Sequence, residues 1–216
     1  MAFPTGWGYK WPIAINADSV ISSPVADWPC LVTDAHFPAG AWAQMQATGA
    51  DLRFSLDEAG ATELYYDAPR LSVAGESAHL YVAVPSLAST ADTTIYGWCG
   101  NAEATAPSAA WMQNTYPSDW AAFWPMEEGT GSTVGDRTGN GYDGTLSAGA
   151  SWDGGTVAVP GTEYVGIATP PAPGLGDWSF MWRSYASTTS SFNVYVDART
   201  SPNGWGIHTS TANKLA

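Results

Sequence analysis

A pair of adjacent carboxylates, Glu127 and Glu128, is the first feature of this sequence that could do chemistry. A retaining glycosidase uses two carboxyl groups about 5 Å apart across the scissile bond. Neighbouring residues of a strand point to opposite faces of a sheet, however, so this pair is unsuited to that geometry. The sequence also lacks a Glu-x-Asp-x-x-Glu pattern, which would place carboxylates on one face. The pair is therefore predicted to anchor a loop, and the chain is predicted not to be an enzyme.

Hard oxygen donors follow in a glycine-rich stretch, at Asp136, Asn140 and Asp143. Calcium prefers such donors, but the calcium helix-loop-helix pattern with its closing Glu is missing. Short polar side chains in a glycine-rich loop also hydrogen-bond their own backbone. Two roles stay open for the three residues: ligands of calcium, which is the single candidate cofactor, or self-capping of the loop, which is favoured.

Aromatic residues are the candidates for ligand contact, because a flat ring complements the apolar face of a pyranose. The chain has 12 Trp residues, and most of them are expected in the core. The candidates for sugar stacking are Trp7, Trp11, Trp178, Trp182 and Trp205. Of these, the last three are the predicted ligand-binding residues.

The histidines and cysteines show neither catalytic nor zinc-binding spacing. His36, His79 and His208 are scattered, and no G-x-S-x-G nucleophile elbow accompanies them. Cys30 and Cys99 each alternate with apolar residues, which indicates inward positions on strands. Two buried thiols are predicted, whereas a disulfide would require export or an extracellular particle.

Composition and charge favour an all-β surface protein. Charged residues make up only 12%, and the formal net charge is −13. Such a charge repels phosphate backbones, so nucleic acid is not an expected partner. The N-terminal residues have no signal-peptide pattern, and no apolar run is long enough for a membrane span. The chain is expected in a virion or outside a cell, without membrane insertion.

Alternating patterns predict six or seven strands before Asn101. The clearest of them lie at residues 6–16, 28–33, 49–55, 62–66, 79–85 and 93–99. Pro12 suits an edge strand, and residues 39–46 suit a short helix. Asp51 and Arg53 alternate with apolar residues, so they are predicted to form an ion pair on the sheet surface.

The second half of the chain begins with two predicted strands, at residues 122–126 and 146–152, on either side of the glycine-rich loop. Residues 103–117 are rich in Ala, Ser, Thr and Pro and are predicted to be a linker that packs on one or both domains. The predicted domains are residues 1–102 and 118–216.

Two family resemblances give this organisation a more specific form. The run Glu127-Glu128-Gly-x-Gly, followed by Asp136-x-Thr-Gly-Asn-Gly-x-Asp-Gly-Thr-Leu146, resembles the opening of a concanavalin A-like, laminin G-like lectin domain. Residues 162–167, 176–182 and 204–207 resemble later strands of that family. The motifs GWGYKWPI, WPCLV, GADLRF, LYVAVPSL and TTIYGWCGN resemble an uncharacterised bacterial and phage β domain.

These resemblances imply two tandem β-sandwich, jelly-roll-like domains, of which the second is an incomplete concanavalin A-like fold with about half of its usual strands. They imply a non-enzymatic surface or virion structural protein, such as a phage tail or head-fibre component, attaching to glycan or to other virion subunits. A homo-oligomer is expected. The alternative is a fragment of a secreted bacterial carbohydrate-binding or carbohydrate-active protein.

Overall fold

The computed structural model describes residues 3–17, 23–153, 156–160, 163–168, 171, 193–197 and 205–210. The chain divides into two compact units, Met1–Trp120 and Ala121–Ala216, called here the first and second unit. Both are built mainly from β-strands, and every strand pair in the described residues is antiparallel. The predicted all-β class is therefore confirmed.

The described residues of the first unit form seven strands in two sheets, in agreement with the six or seven predicted. They are β1 (Tyr9–Ile15), β2 (Val25–Thr33), β3 (Arg53–Ser55), β4 (Glu63–Leu64), β5 (Tyr66–Ser72), β6 (Ser77–Leu87) and β7 (Thr93–Cys99). One sheet has the order β1-β7-β3-β4 and the other β2-β6-β5. A 3-10 turn (Asp34–His36) and helix α1 (Ala39–Gln44) connect β2 to β3, and helix α2 (Ala109–Gln113) follows β7.

Strand alternation positions the core between these two sheets. In β6, buried Ala78, Leu80, Val82 and Val84 alternate with partly exposed residues, so one face of the strand is apolar. Among the described residues, nineteen buried side chains from both sheets and from the segment that connects β2 to β3 form one continuous cluster. This arrangement is sandwich-like. It buries apolar area, which is the main favourable contribution to folding.

Strand β1 is an edge strand, as Pro12 predicted, because β7 is its one partner among the strands that the structure describes. Its Trp11 lies directly opposite Gly97 in β7. A Cβ added at Gly97 would collide with the Trp11 indole, so the missing side chain provides the space in which this ring is buried. The edge strand thereby contributes one of the large core residues.

Residues 101–120, called here the strap, pack on the first unit. Gln46 donates from Nε2 to the carbonyl oxygens of Asn101 and Ala104, at 2.7 and 3.0 Å. Farther along, Trp111 packs against the core cluster, and Tyr116 is buried. The strap includes all the residues predicted as a linker, and these contacts make it part of the packing of the first unit.

In the part of the second unit that the structure describes, there is a five-stranded sheet with the order β13-β14-β12-β9-β8 and a hairpin of β10 and β11. Its strands are β8 (Thr133–Val134), β9 (Gly144–Leu146), β10 (Ser151–Asp153), β11 (Thr156–Ala158), β12 (Tyr164–Ile167), β13 (Asn193–Asp197) and β14 (Trp205–Ser210). The buried cluster of its described residues consists of Val134, Leu146 and Val165, with partly buried Trp124 and Met126 among the side chains packed around it.

Two strand predictions in this unit are wrong. Residues 122–126 form no strand, because Pro125 has no N–H to donate and Met126 has a φ of 58°, so the chain cannot continue an extended ladder there. The strand predicted at residues 146–152 is split, since a turn closed by Ala150 N and Ser147 O separates β9 from β10. Strands β12 and β14 confirm those predicted near residues 162–167 and 204–207, whereas residues 176–182 lie outside the described residues.

Candidate functional site

The glycine-rich loop between residues 127 and 144 is organised by Asp136. Its Oδ1 accepts hydrogen bonds from Phe123 N at 3.1 Å and from Thr138 N and Oγ1 at 3.0 and 2.8 Å. Its Oδ2 accepts from Tyr142 N at 3.2 Å. One carboxylate therefore joins the start of the second unit to both sides of the loop, and glycines such as Gly139, with a φ of 86°, allow the backbone to turn around it.

Asp143 and Asn140 extend the same bracing. Asp143 Oδ1 accepts from Asp136 N at 2.8 Å, and Asn140 donates from Nδ2 to Ala121 O at 3.0 Å. Within the residues that the structure describes, no group of three or more His, Cys, Asp or Glu side chains could hold a metal ion. These bonds are those of a self-capped loop, and calcium binding by Asp136, Asn140 and Asp143 stays a prediction.

Glu127 and Glu128 occupy different environments. Glu127 is buried, whereas Glu128 is exposed and accepts from Gly135 N through Oε1 at 2.8 Å. The second carboxylate therefore fastens one side of the glycine-rich loop to the other. For Glu128 this contact is the loop-anchoring role that the sequence predicted, whereas for Glu127 that role stays a prediction.

A second carboxylate centre lies in the first unit, at Asp51, which has no solvent-exposed area. Its Oδ1 accepts from Gln46 N at 2.9 Å, and its Oδ2 accepts from Gly100 N at 2.7 Å and Asn101 N at 3.1 Å. A buried charge is tolerated when donors surround it, and here three backbone N–H groups do so. Asp51 thus fixes the start of the strap against the turn that follows α1.

The predicted surface ion pair between Asp51 and Arg53 is wrong. Arg53 is also buried, and its Nε lies 3.3 Å from Glu63 Oε1. Its guanidinium donates to Leu52 O at 2.5 Å and to Thr105 O at 2.6 Å. The strap covers Arg53 on the polar face of β3. The alternation of polar and apolar residues along this strand therefore did not predict which of them are exposed. Burial raises the pKa of Glu63 above its usual value, and the positive charge of Arg53 only partly offsets this.

The tryptophan candidates have different positions. Trp11 is buried and donates to His36 O at 2.9 Å, and Trp7 is partly buried and donates to Asp51 O at 2.6 Å. Both are therefore part of the packing of the first unit, contrary to the suggestion that they are stacking surfaces. Trp205 lies in β14 opposite Ile167. Trp178 and Trp182 lie outside the described residues, and ligand binding by these three tryptophans stays a prediction.

A shallow, open groove of about 400 Å³ lies beside the edge strand β1, lined by residues 11–14 and 35–38. The exposed His36 is its titratable residue, and Nδ1 of this histidine accepts from Thr33 N at 3.0 Å. That bond caps the 3-10 turn. The groove therefore offers apolar surface and one imidazole that has a structural role, without a nucleophile beside it.

The two cysteines are buried and free, as predicted. Burial raises the pKa of Cys30 to about 11. For Cys99, burial and the nearby charge of Asp51 raise the pKa to about 12, and its thiol donates to Ala41 O at 3.4 Å. Since the thiolate is the reactive form, neither residue has the environment of a nucleophile.

We expect both thiols to be almost unreactive toward a thiol reagent in the native protein at about pH 8, because their raised pKa values keep them protonated and the core covers them. Denaturation should expose two reactive groups. Adding reductant should leave the melting temperature unchanged. A drop of several degrees, as expected from losing the ~2–4 kcal/mol of a disulfide, would contradict the assignment.

In comparisons with known proteins, no family model, curated protein or solved structure matches the chain. In the described part of the chain, no helix is long and apolar enough to cross a membrane. The class that the fold defines is thus an antiparallel all-β protein of two units.

Proposed function

We propose that this chain is a non-enzymatic structural protein of a virion or of an extracellular surface, and that its work is attachment to glycan or to other subunits. In this proposal the first unit is a jelly-roll-like sandwich domain. The second unit is the N-terminal part of a concanavalin A-like, laminin G-like fold. The sequence resemblances at residues 6–102 and 127–146 support both assignments.

The observation that carries the proposal is the use of carboxylates as braces for loops. Asp51, Asp57 and Asp136 each accept three backbone N–H hydrogen bonds. Glu128 accepts one from Gly135, and Glu163 accepts one from Gly149. Such bonds to an ionised group are strong, whereas a general acid needs a raised pKa. Indeed, the bonds from Ala61 to Asp57 and from Ser147 to Glu163 lower the pKa of each carboxyl.

Charge supports a partner other than nucleic acid. The formal net charge is −13, and seven Lys and Arg residues are too few for a basic stripe along a surface. Two of them, Lys10 and Arg53, are already paired with Glu58 and Glu63. The proposed partners are therefore other protein subunits or a saccharide.

The test of the non-enzymatic assignment is a screen for hydrolysis of β-glucans, agar and chitin by the full chain. We expect no turnover with any of them, because Glu127 is buried and Glu128 is hydrogen-bonded to the loop. Cleavage that disappears in Glu127→Gln would overturn the assignment. Cleavage that disappears in Glu128→Gln alone would also overturn the non-enzymatic assignment, since this exposed residue would then be the catalytic carboxylate.

Assembly of the second unit through a partner is the other part of the proposal. The described five-stranded sheet of this unit ends at β13 and β8. An edge strand presents unpaired backbone N–H and C=O groups, and pairing with another chain would satisfy them. We propose that residues 118–216 are completed in trans in a homo-oligomer or by another virion subunit.

Light scattering on the full chain measures this directly. A mass that is a multiple of the chain mass, falling to one copy on dilution, is expected for a homo-oligomer. The unfolding midpoint should then rise with protein concentration, because association stabilises only the folded state. A cooperative monomer at every concentration, without binding of a hydrophobic dye, would contradict completion in trans.

A further inference from the structure

The dipeptide Asn140-Gly141 lies at an exposed position of the glycine-rich loop. Gly141 has a φ of 80°, and a Cβ added to it would meet no atom within 4 Å. Its N–H donates no hydrogen bond within the part of the chain that the structure describes. The side chain of Asn140 can therefore approach the backbone nitrogen that follows it without being crowded by a β-carbon.

This arrangement suits attack of the backbone nitrogen on the side-chain amide. The nitrogen of Gly141 bonds to Cγ of Asn140, and the bond between Cγ and Nδ2 breaks. The proton from the attacking nitrogen passes through solvent to the leaving group, so ammonia departs and a succinimide ring remains. Water then opens the ring at one of its two carbonyl carbons, which gives aspartate or isoaspartate. Water is the co-reactant, and asparagine counts among the thermolabile residues of proteins.

A hydrogen bond restrains the reacting side chain without preventing the reaction. Asn140 donates from Nδ2 to Ala121 O at 3.0 Å, and this bond must open before Cγ can turn toward the nitrogen of Gly141. Water can replace either partner of a hydrogen bond at an exposed position, so the bond has a small net free energy. Its opening therefore slows the reaction by about tenfold at most.

Asn114 in the first unit provides the contrast. It is also exposed, and its Nδ2 donates to Ala110 O at 3.3 Å. The next residue, however, is the β-branched Thr115, which is 1% exposed and whose N–H donates to Met112 O at 3.0 Å. The nitrogen that would attack Asn114 is thus both hydrogen-bonded and crowded. The two asparagines are alike in exposure and in side-chain bonding, and they differ in the nitrogen that follows.

We infer that Asn140 is a site of spontaneous deamidation, and that the product releases the glycine-rich loop from Ala121. A carboxylate accepts hydrogen bonds but has no N–H to donate, so the bond to Ala121 O is lost. The new negative charge also joins Asp136 and Asp143 in the same loop, and like charges repel one another. This modification goes beyond the proposed function and does not depend on it.

Peptide mass mapping of the native full chain, incubated at mildly alkaline pH, measures the conversion of each asparagine. The guanidinium-unfolded chain gives the rate without structural restraint. Asn140 in the native chain should convert at a rate within about tenfold of that reference. Asn114 should keep its amide over the same time. Asn140→Gln should show no conversion at position 140, because its longer side chain would have to close a larger ring that forms more slowly.

Hydrogen exchange measures the release of the loop. Peptides that cover residues 121–144 should exchange faster in Asn140→Asp than in the wild type, and Asn114→Asp is the matched control that should leave them unchanged. Native conversion of Asn140 that is slower than the expected range, or no faster than that of Asn114, would overturn the deamidation site. Unchanged exchange in Asn140→Asp would overturn the release of the loop.

Discussion

Replacing Asp51 with alanine should destabilise the first unit by about 3–5 kcal/mol, because a buried hydrogen-bonded charge is removed and its donors remain. The carboxylate is completely buried and accepts from the backbone N–H groups of Gln46, Gly100 and Asn101. A methyl group cannot accept any of these bonds. Each buried donor left without an acceptor costs about 1–3 kcal/mol.

Urea unfolding of the full chain at about pH 7, followed by tryptophan fluorescence, measures this loss. Asp57→Ala is the matched control, since Asp57 also accepts three backbone N–H bonds but lies at a solvent-exposed turn. At that exposed turn, water can replace the lost acceptor, so the free energy of unfolding should decrease much less than in Asp51→Ala. Equal unfolding midpoints for the two variants would show that burial does not determine the role of Asp51.

The acid dependence of Asp57 provides a check on the control. Hydrogen bonds from the backbone, that of Ala61 first, lower the pKa of Asp57 in the folded state. Its contribution to stability is therefore present above the ordinary aspartate pKa and is lost as the pH falls through the lowered folded value. The contribution of Asp57 is therefore present at about pH 7, where the two variants are compared.

Patterns within one element predicted the fold of the first unit well. Alternation along β6 identifies its buried face, and Pro12 identifies the edge strand. The glycine-rich loop was also predictable, because Asp136 bonds residues only a few positions away, at Thr138 and Tyr142. Local rules succeed where the decisive contacts are local.

The same rules failed where distant residues determine burial. Arg53 was predicted on a surface because polar and apolar residues alternate around it, but Thr105 accepts from its guanidinium and the strap covers it. Nothing near position 53 in the sequence specifies a cover that arrives 52 residues later. For residues 122–126, apolar composition indicated a strand, whereas Pro125 and the positive φ of Met126 prevent one.

Carboxylates show how such a protein can be acidic and still stable. A chain with few helices has many loop N–H groups that no regular ladder satisfies. Asp51, Asp57 and Asp136 each satisfy three of them. The acidic residues therefore stabilise loops besides raising the net charge. Loops in both units are therefore fixed parts of the fold.

The strap should be essential to the first unit, so a polypeptide of residues 1–102 should be less stable than one of residues 1–120 by on the order of 5 kcal/mol. Removing it exposes surface now covered by Trp111 and Tyr116, each worth about 1.5–3 kcal/mol if fully buried. It also removes the Tyr116 hydroxyl, which donates to the buried Asp67 Oδ2 at 2.7 Å, and the Thr105 carbonyl, which accepts from Arg53 at 2.6 Å. Such bonds to charged groups are worth about 1.5–3 kcal/mol each.

A loss of this size approaches the total stability of an ordinary domain, so the shorter polypeptide should be largely unfolded. Urea unfolding by circular dichroism compares the two directly, and Glu103→Ala in the longer polypeptide is a control at an exposed strap position. The longer polypeptide should unfold cooperatively, because it comprises the whole of the first compact unit. It keeps the contact between the rings of Trp120 and Trp28, whose centroids lie 5.8 Å apart. If both polypeptides unfolded at the same urea concentration, the strap would be a tether after all, and the domain would end near residue 102 as the sequence predicts.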